Sequence, residues 1–295
     1  MISLGWRFKP LCDLFSHGMA MFEILSAGLS DIGRKRSSNQ DHFLLDDRHQ
    51  LYLVADGMGG HQAGEVASQL VVDSIHQFYQ TNPSWPASDQ EALQDPALSP
   101  EANRLRSAIG YANQQVFQAA ATHKGYQGMG STLAAVQFVD NTFIAANVGD
   151  SPIYLIHDQT IEMLSVPHTL LAEQSDLPPD ERAVLSPELQ HMLTRGMGVE
   201  DTVKPDIWET PCFSGDRLVV CSDGLSGKVA PQEILDLASS HSAVEACQNL
   251  VALANQRGGE DNITVVVLHV HKPNSVIQRF NHWMARFTGG GLDEA

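Results

Sequence analysis

The sequence predicts a mixed α/β fold whose sheets are antiparallel, and three observations predict it. Short β-branched runs come in adjacent pairs joined by turn residues, which favours hairpins over βαβ crossovers. Amphipathic helical stretches lie outside those pairs. Apolar and aromatic residues make up 43% of the 295 positions, enough to fill a sizeable core. Strands are expected over 23–28, 42–45, 51–55, 132–139, 142–148, 153–156, 217–222 and 263–270, with Asp140-Asn141 as one hairpin turn. Helical spacing puts Ala67, Leu70, Val71, Ile75 and Phe78 on one face, and Leu105, Ile109, Ala112 and Val116 on another. A third helix passes through Ala243, Cys247, Leu250 and Ala254, after a short one that Pro231 opens at its first turn. The stretches 82–100 and 166 to about 205 read as irregular, and a long irregular segment inside a compact domain is usually functional. Beyond Lys272, Ile277, Phe280, Met284 and Phe287 have helical spacing and are expected to dock on their own domain.

The charge balance narrows the function classes. Lys and Arg number 18 against 35 Asp and Glu, a net charge of −17. Such an excess repels phosphate backbones and anionic lipid, so neither nucleic acid nor a membrane is an expected partner, whereas divalent cations suit it. No apolar run approaches the roughly 20 residues that span a bilayer. The opening segment is interrupted by Asp13 and His17 where a signal peptide needs an apolar stretch, so a cytoplasmic protein is expected. Cys12, Cys212, Cys221 and Cys247 are scattered, without a CxxC pair, and read as reduced thiols, with Cys221 in a core strand.

Four acidic positions share a pattern. Asp56 in LYLVADGMGG, Asp150 in AANVGDS, Asp223 in RLVVCSDGL and Asp261 in GGEDNITVVV all stand at or beside the end of an apolar run, next to Gly, Asn or Ser. Any single Asp-Gly is most simply a turn former. Four strand-end carboxylates, each beside a residue that lets a carbonyl point into the same space, form the oxygen-rich donor set that hard cations such as Mg²⁺ or Mn²⁺ require. A dinucleotide fingerprint is excluded, because Gly57 and Gly59 are followed by Gln62 where the third glycine belongs, and no GK[ST] follows to make a Walker loop. Arg34, Lys35 and Arg36 form a basic cluster before the strand that leads to Asp56; one of them is placed to fork onto a phosphate, and spacing does not say which. His61 reads either as a general acid near Asp56 or as a surface residue at a helix start. Asn262-Ile263-Thr264 matches a glycosylation sequon at a strand start, where modification is not expected.

The ordered set SSNQD, VADGMGGH, GMGSTL, NVGDS, LTRGMG, CSDGL and GGEDNIT resembles the metal-dependent protein phosphatases, the type 2C serine/threonine phosphatases, and most of all their compact bacterial members. It runs in order over about 26–270. The resemblance implies a four-layer α-β-β-α sandwich, two packed antiparallel sheets flanked by helices, with the active site at one edge. It implies a catalytic domain over 22–271 with a flap at about 166–193, an N-terminal extension over 1–21 and a C-terminal tail over 272–295. By the resemblance Asp56 bridges two Mn²⁺ or Mg²⁺ ions, the Gly57 carbonyl ligates through water, and Asp223 and Asp261 complete the pair. Asp150 matches the aspartate of a third, weaker site that also involves Asp223. Arg36 matches the phosphate-binding arginine, His61 the proposed general acid, and Asp41 and Asn262 flank the set.

Three departures stand out. Gln40 replaces the acid of an NED triplet, Pro152 replaces the arginine of GDSR, and Pro167, His168 and Thr169 replace a DHS at the flap. All bridging aspartates are present, which separates the chain from a silent phosphoprotein-binding regulator. The implied activity is hydrolysis of phosphoserine and phosphothreonine by direct attack of water, acting as a monomer opposite a cognate serine/threonine kinase in bacterial signalling.

Overall fold

A computed structural model describes residues 22–60, 63–81, 94–175, 177 and 185–272. His61, most of the 82–100 loop, the helical spacing after Lys272, Cys12 and part of the 166–193 flap lie outside the described residues.

The strands are β1 (Glu23–Asp31), β2 (Asp41–Asp46), β3 (Leu51–Met58), β4 (Gly130–Ser131), β5 (Leu133–Val139), β6 (Thr142–Val148), β7 (Ile153–His157), β8 (Thr160–Met163), β9 (Asp206–Pro211), β10 (Arg217–Cys221) and β11 (Ile263–His271). They pair antiparallel into two sheets, one in the order β1-β11-β10-β7-β8 and the other in the order β2-β3-β5-β6-β9, with β4 beside β3. The helices are α1 (Ala63–Thr81), α2 (Pro100–Thr122), α3 (Leu170–Ser175), α4 (Pro187–Gln190), α5 (Asp223–Ser226), α6 (Pro231–Ser240) and α7 (Ala243–Gln256).

Alternation along the strands explains the layering. In β3, Leu51, Leu53 and Ala55 pack on α1 and α2, while Tyr52 and Val54 point the other way, into the space between the sheets. In β11, Val265 and Val267 pack on α6 and α7, while Val266 and Leu268 enter the same central space. Three apolar layers therefore separate four layers of secondary structure, as the resemblance implies. Strands buried on both faces read as continuous apolar runs, which is why β5, β6, β10 and β11 stand out in the sequence.

The expected helices form where periodicity places them. Ser99 caps α2 by accepting from the Ala102 N–H, and Ser242 with Glu245 makes a capping box on α7. Cys212, Cys221 and Cys247 are buried free thiols. The 166–205 stretch differs from the irregular expectation: it holds α3 and α4, and two isolated bridges, Thr169 to Leu193 and Ser131 to Met197, tie it down. Strands β8 and β9 are each the edge of a sheet; β8 is mostly exposed, and β9 packs only Ile207 and Trp208, on opposite faces, so neither carries a run of apolar alternation. Among the described residues no helix is long and apolar enough to cross a membrane.

Candidate active site

The two sheets end together along one edge of the sandwich, and the expected carboxylates meet there. Asp56 comes from the end of β3, Asp150 from the turn after β6, Asp223 from the first residue of α5 after β10, and Asp261 from the turn before β11. All four line one open cleft of about 810 Å³, together with Arg36, Gly57 and Asn262.

Backbone hydrogen bonds fix the Asp56 turn. The Asp56 N–H donates to Thr132 Oγ1 at 3.0 Å, and its carbonyl accepts from the Thr132 N–H at 2.8 Å and the Ser131 hydroxyl at 3.0 Å. The Gly57 N–H donates to the Gln40 carbonyl at 3.0 Å. A Cβ at Gly57 would run into the Gly64 carbonyl and lie 2.7 Å from the Gln40 carbonyl, so this strand end tolerates only glycine.

Asp41 lies directly across the ladder from Asp56. It is 3% exposed; its Oδ2 accepts from the Ser222 hydroxyl at 2.7 Å, while its buried Oδ1 has no hydrogen-bond partner. Asn262 is committed to the neighbouring loop: its Oδ1 accepts from the Gln40 N–H at 2.8 Å, and its Nδ2 donates to the carbonyls of Ile32 and Ser38 at 3.0 and 2.9 Å. That triple contact positions the turn bearing Arg36. Arg36 places Nη2 at 2.6 Å from Asp261 Oδ2 and keeps further donors in the cleft.

The electrostatics are those of crowded negative charge. Burial, and then Asp41, Asp223, Asp261 and Asp150, hold the Asp56 carboxyl well above its ordinary value. Burial also pushes Asp41 up to about 6, against the Ser222 hydrogen bond, with Asp223 and Asp261 adding to the rise. Asp150 is pushed up to about 6 by burial first and Asp223 second. Asp223, the most open of the group, is raised by partial desolvation and by Asp261, against a hydrogen bond with Asp56 and the Arg36 charge.

A divalent cation fits this donor set. Hard oxygen donors and their mutual repulsion both favour local positive charge. Among the described residues no three carboxylate, imidazole or thiol side chains already surround a single point. The donors instead line the floor and walls, which suits ions that keep several of their waters.

Sequence reasoning missed the supports of this site. The opposite wall of the cleft is built by His191, Met192, Arg195, Val199 and Lys204. His168, noted only as part of a departure, is buried: its Nδ1 accepts from the Gly149 N–H at 3.1 Å, so its proton sits on Nε2, 3.1 Å from Asp206 Oδ2. Arg195 reaches the other Asp206 oxygen at 2.8 Å. Flap, β9 and the Asp150 turn are thereby joined. Nothing in the local sequence marks Asp206 as the partner of His168.

The model of the family described as protein phosphatase 2C matches residues 28–264. The protein phosphatase PhpP of Streptococcus pneumoniae is 31% identical over 258 residues, spanning 84% of this chain and 98% of the relative. The serine/threonine phosphatase stp of Listeria welshimeri is 35% identical over 246 residues, spanning 81% of this chain and 93% of the relative. The solved serine/threonine phosphatase PstP of Mycobacterium tuberculosis superposes with a TM-score of 0.70 at 30% identity, over 84% of this chain and 99% of its own. A PstP catalytic domain in complex with two manganese ions gives 0.69 at 31% identity, over 84% and 98%. With the family model matching residues 28–264 and relatives of 31–35% identity spanning more than four-fifths of it, the chain belongs to the protein phosphatase 2C family and is a metal-dependent serine/threonine protein phosphatase of bacterial type.

Proposed function

We propose that residues 22–271 form a catalytic domain that hydrolyses phosphoserine and phosphothreonine by in-line attack of water, without a phosphoenzyme. The observation that carries this reading is the cluster of mutually raised carboxylates with Arg36 at its rim. Asp56, Asp223, Asp261 and the Gly57 carbonyl would hold two divalent cations, Mn²⁺ or Mg²⁺, and Asp150 with Asp223 a third. When bound, such cations acidify and orient the attacking water and offset the charge of the phosphate. Asp41 braces the Asp56 strand end from across the ladder, and Asn262 holds the Arg36 turn. The Arg36 fork grips two phosphate oxygens and stabilises charge as it develops on the transferred group. His61 is assigned the proton donated to the leaving alkoxide. The physiological substrates would be phosphoproteins made by a cognate serine/threonine kinase, met in the cytoplasm by a monomer.

Hydrolysis of a chromogenic aryl phosphate tests the reading. Activity is expected with Mn²⁺, none in EDTA, and a loss of at least about 100-fold in Asp223→Asn, the scale on which a mispositioned charge acts in such sites. Full activity of the wild type in EDTA, or of Asp223→Asn with Mn²⁺, contradicts the two-cation chemistry.

A further inference from the structure

The catalytic cleft continues past its carboxylates. Where its far wall meets the C-terminal half of α2, a second recess of about 280 Å³ opens, lined chiefly by Phe117, Ala120, Ala121 and Met129, with Gln127 as its one polar side chain. Gly128 and Val199 line both cavities, so the two adjoin. The recess is below the roughly 300–1,000 Å³ typical of small-molecule sites. It has the scale of one large side chain. No charged side chain lines it, in a chain carrying −17 overall.

Its shared wall is fixed rather than loose. Val199 is 56% exposed. Yet the backbone on both sides of it is pinned. Met197 and Ser131 exchange hydrogen bonds of 2.7 and 3.1 Å, the Gly198 N–H donates to Asn113 Oδ1 at 2.7 Å, and Asn113 Nδ2 donates to the Glu200 carbonyl at 3.0 Å. A wall held in this way binds without first being ordered, which lowers the entropy cost of binding. Gly128, which lines both cavities, adopts φ +75°, a conformation that favours glycine.

We propose that this recess is a subsite for one large aliphatic or aromatic side chain of the phosphoprotein substrate, a few residues along the chain from the phosphoserine or phosphothreonine. The inference rests on the phosphatase reading above and adds a substrate preference to it. The occupant follows from the chemistry of the walls and from the place of the recess beside the cleft. A polypeptide whose phosphoresidue sits at the carboxylates must run outward from them, and an uncharged apolar recess on that route rewards an apolar side chain.

The test is a set of matched phosphothreonine peptides, each carrying Leu or Gly in turn at the positions flanking the phosphothreonine, assayed with Mn²⁺ on the full chain. At one position Leu is expected to raise kcat/KM about tenfold over Gly, mainly through KM, as partial burial of a leucine side chain allows. Ala121→Glu, at the exposed end of α2, is expected to abolish that preference. Equal rates for Leu and Gly at every position overturn the subsite, and so does a preference that survives Ala121→Glu. Failure to hydrolyse any phosphopeptide, with aryl phosphate still turned over, overturns the protein phosphatase reading itself.

Discussion

Asp150 expresses the charge conflict of the cleft in a form that one substitution can read. Its folded carboxyl stands at about 6, raised by burial and then by Asp223, against about 4 in an unfolded chain. Between those values the unfolded state releases its proton while the folded state holds it, so stability falls as pH rises from about 4 to about 6 and is level above. Asp150→Asn removes that loss. In metal-free buffer the variant's advantage in urea midpoint is expected to grow across that window and then plateau; an advantage constant from acid to neutral pH contradicts the assignment. The carboxylates themselves were legible in the sequence because strand-end Asp beside Gly, Asn or Ser is both a turn signal and a ligand signal. Ser222 and Thr132 were not, since a hydroxyl at the end of an apolar run reads only as polar until the fold sets it against Asp41 or the Asp56 backbone.

Among the elements, α2 does more than cover a sheet. Asn113 is fully buried on it and satisfies both the Gly198 N–H and the Glu200 carbonyl, clamping the exit of the flap region to the helix. Asn113→Ala leaves both groups without that partner and is expected to lower stability by about 2 kcal/mol in urea unfolding. Hydrogen exchange at the Gly198 amide should rise with it; unchanged protection there would show that the clamp does not hold this segment. Periodicity predicted α1, α2, α6 and α7 because each presents an apolar stripe to a sheet. The same reasoning could not reach β8, β9, α3 or α4. Those elements are short or at an edge, and long-range contacts such as His168 with Asp206, rather than local pattern, accompany their place in the fold.

The whole molecule turns a global excess of acid into a local device. Asp56 and Asp150 belong to one sheet and Asp223 and Asp261 to the other, so the site exists only when the central apolar layer of Tyr52, Phe143, Val220 and Val266 brings the two edges together. The charge of −17 still repels nucleic acid, while the gathered carboxylates invite cations that reverse the sign where an anionic phosphate must bind. The layered architecture itself was implied by the ordered motifs; hairpins and helical faces were compatible with several packings, because pairing between distant strands leaves no local trace. The central claim is that these four strand ends form one cation site. Counting Mn²⁺ bound at equilibrium by the wild type and by Asp56→Asn tests it most directly. The wild type is expected to hold about two ions and the variant fewer than about one. An undiminished count in Asp56→Asn would contradict the account.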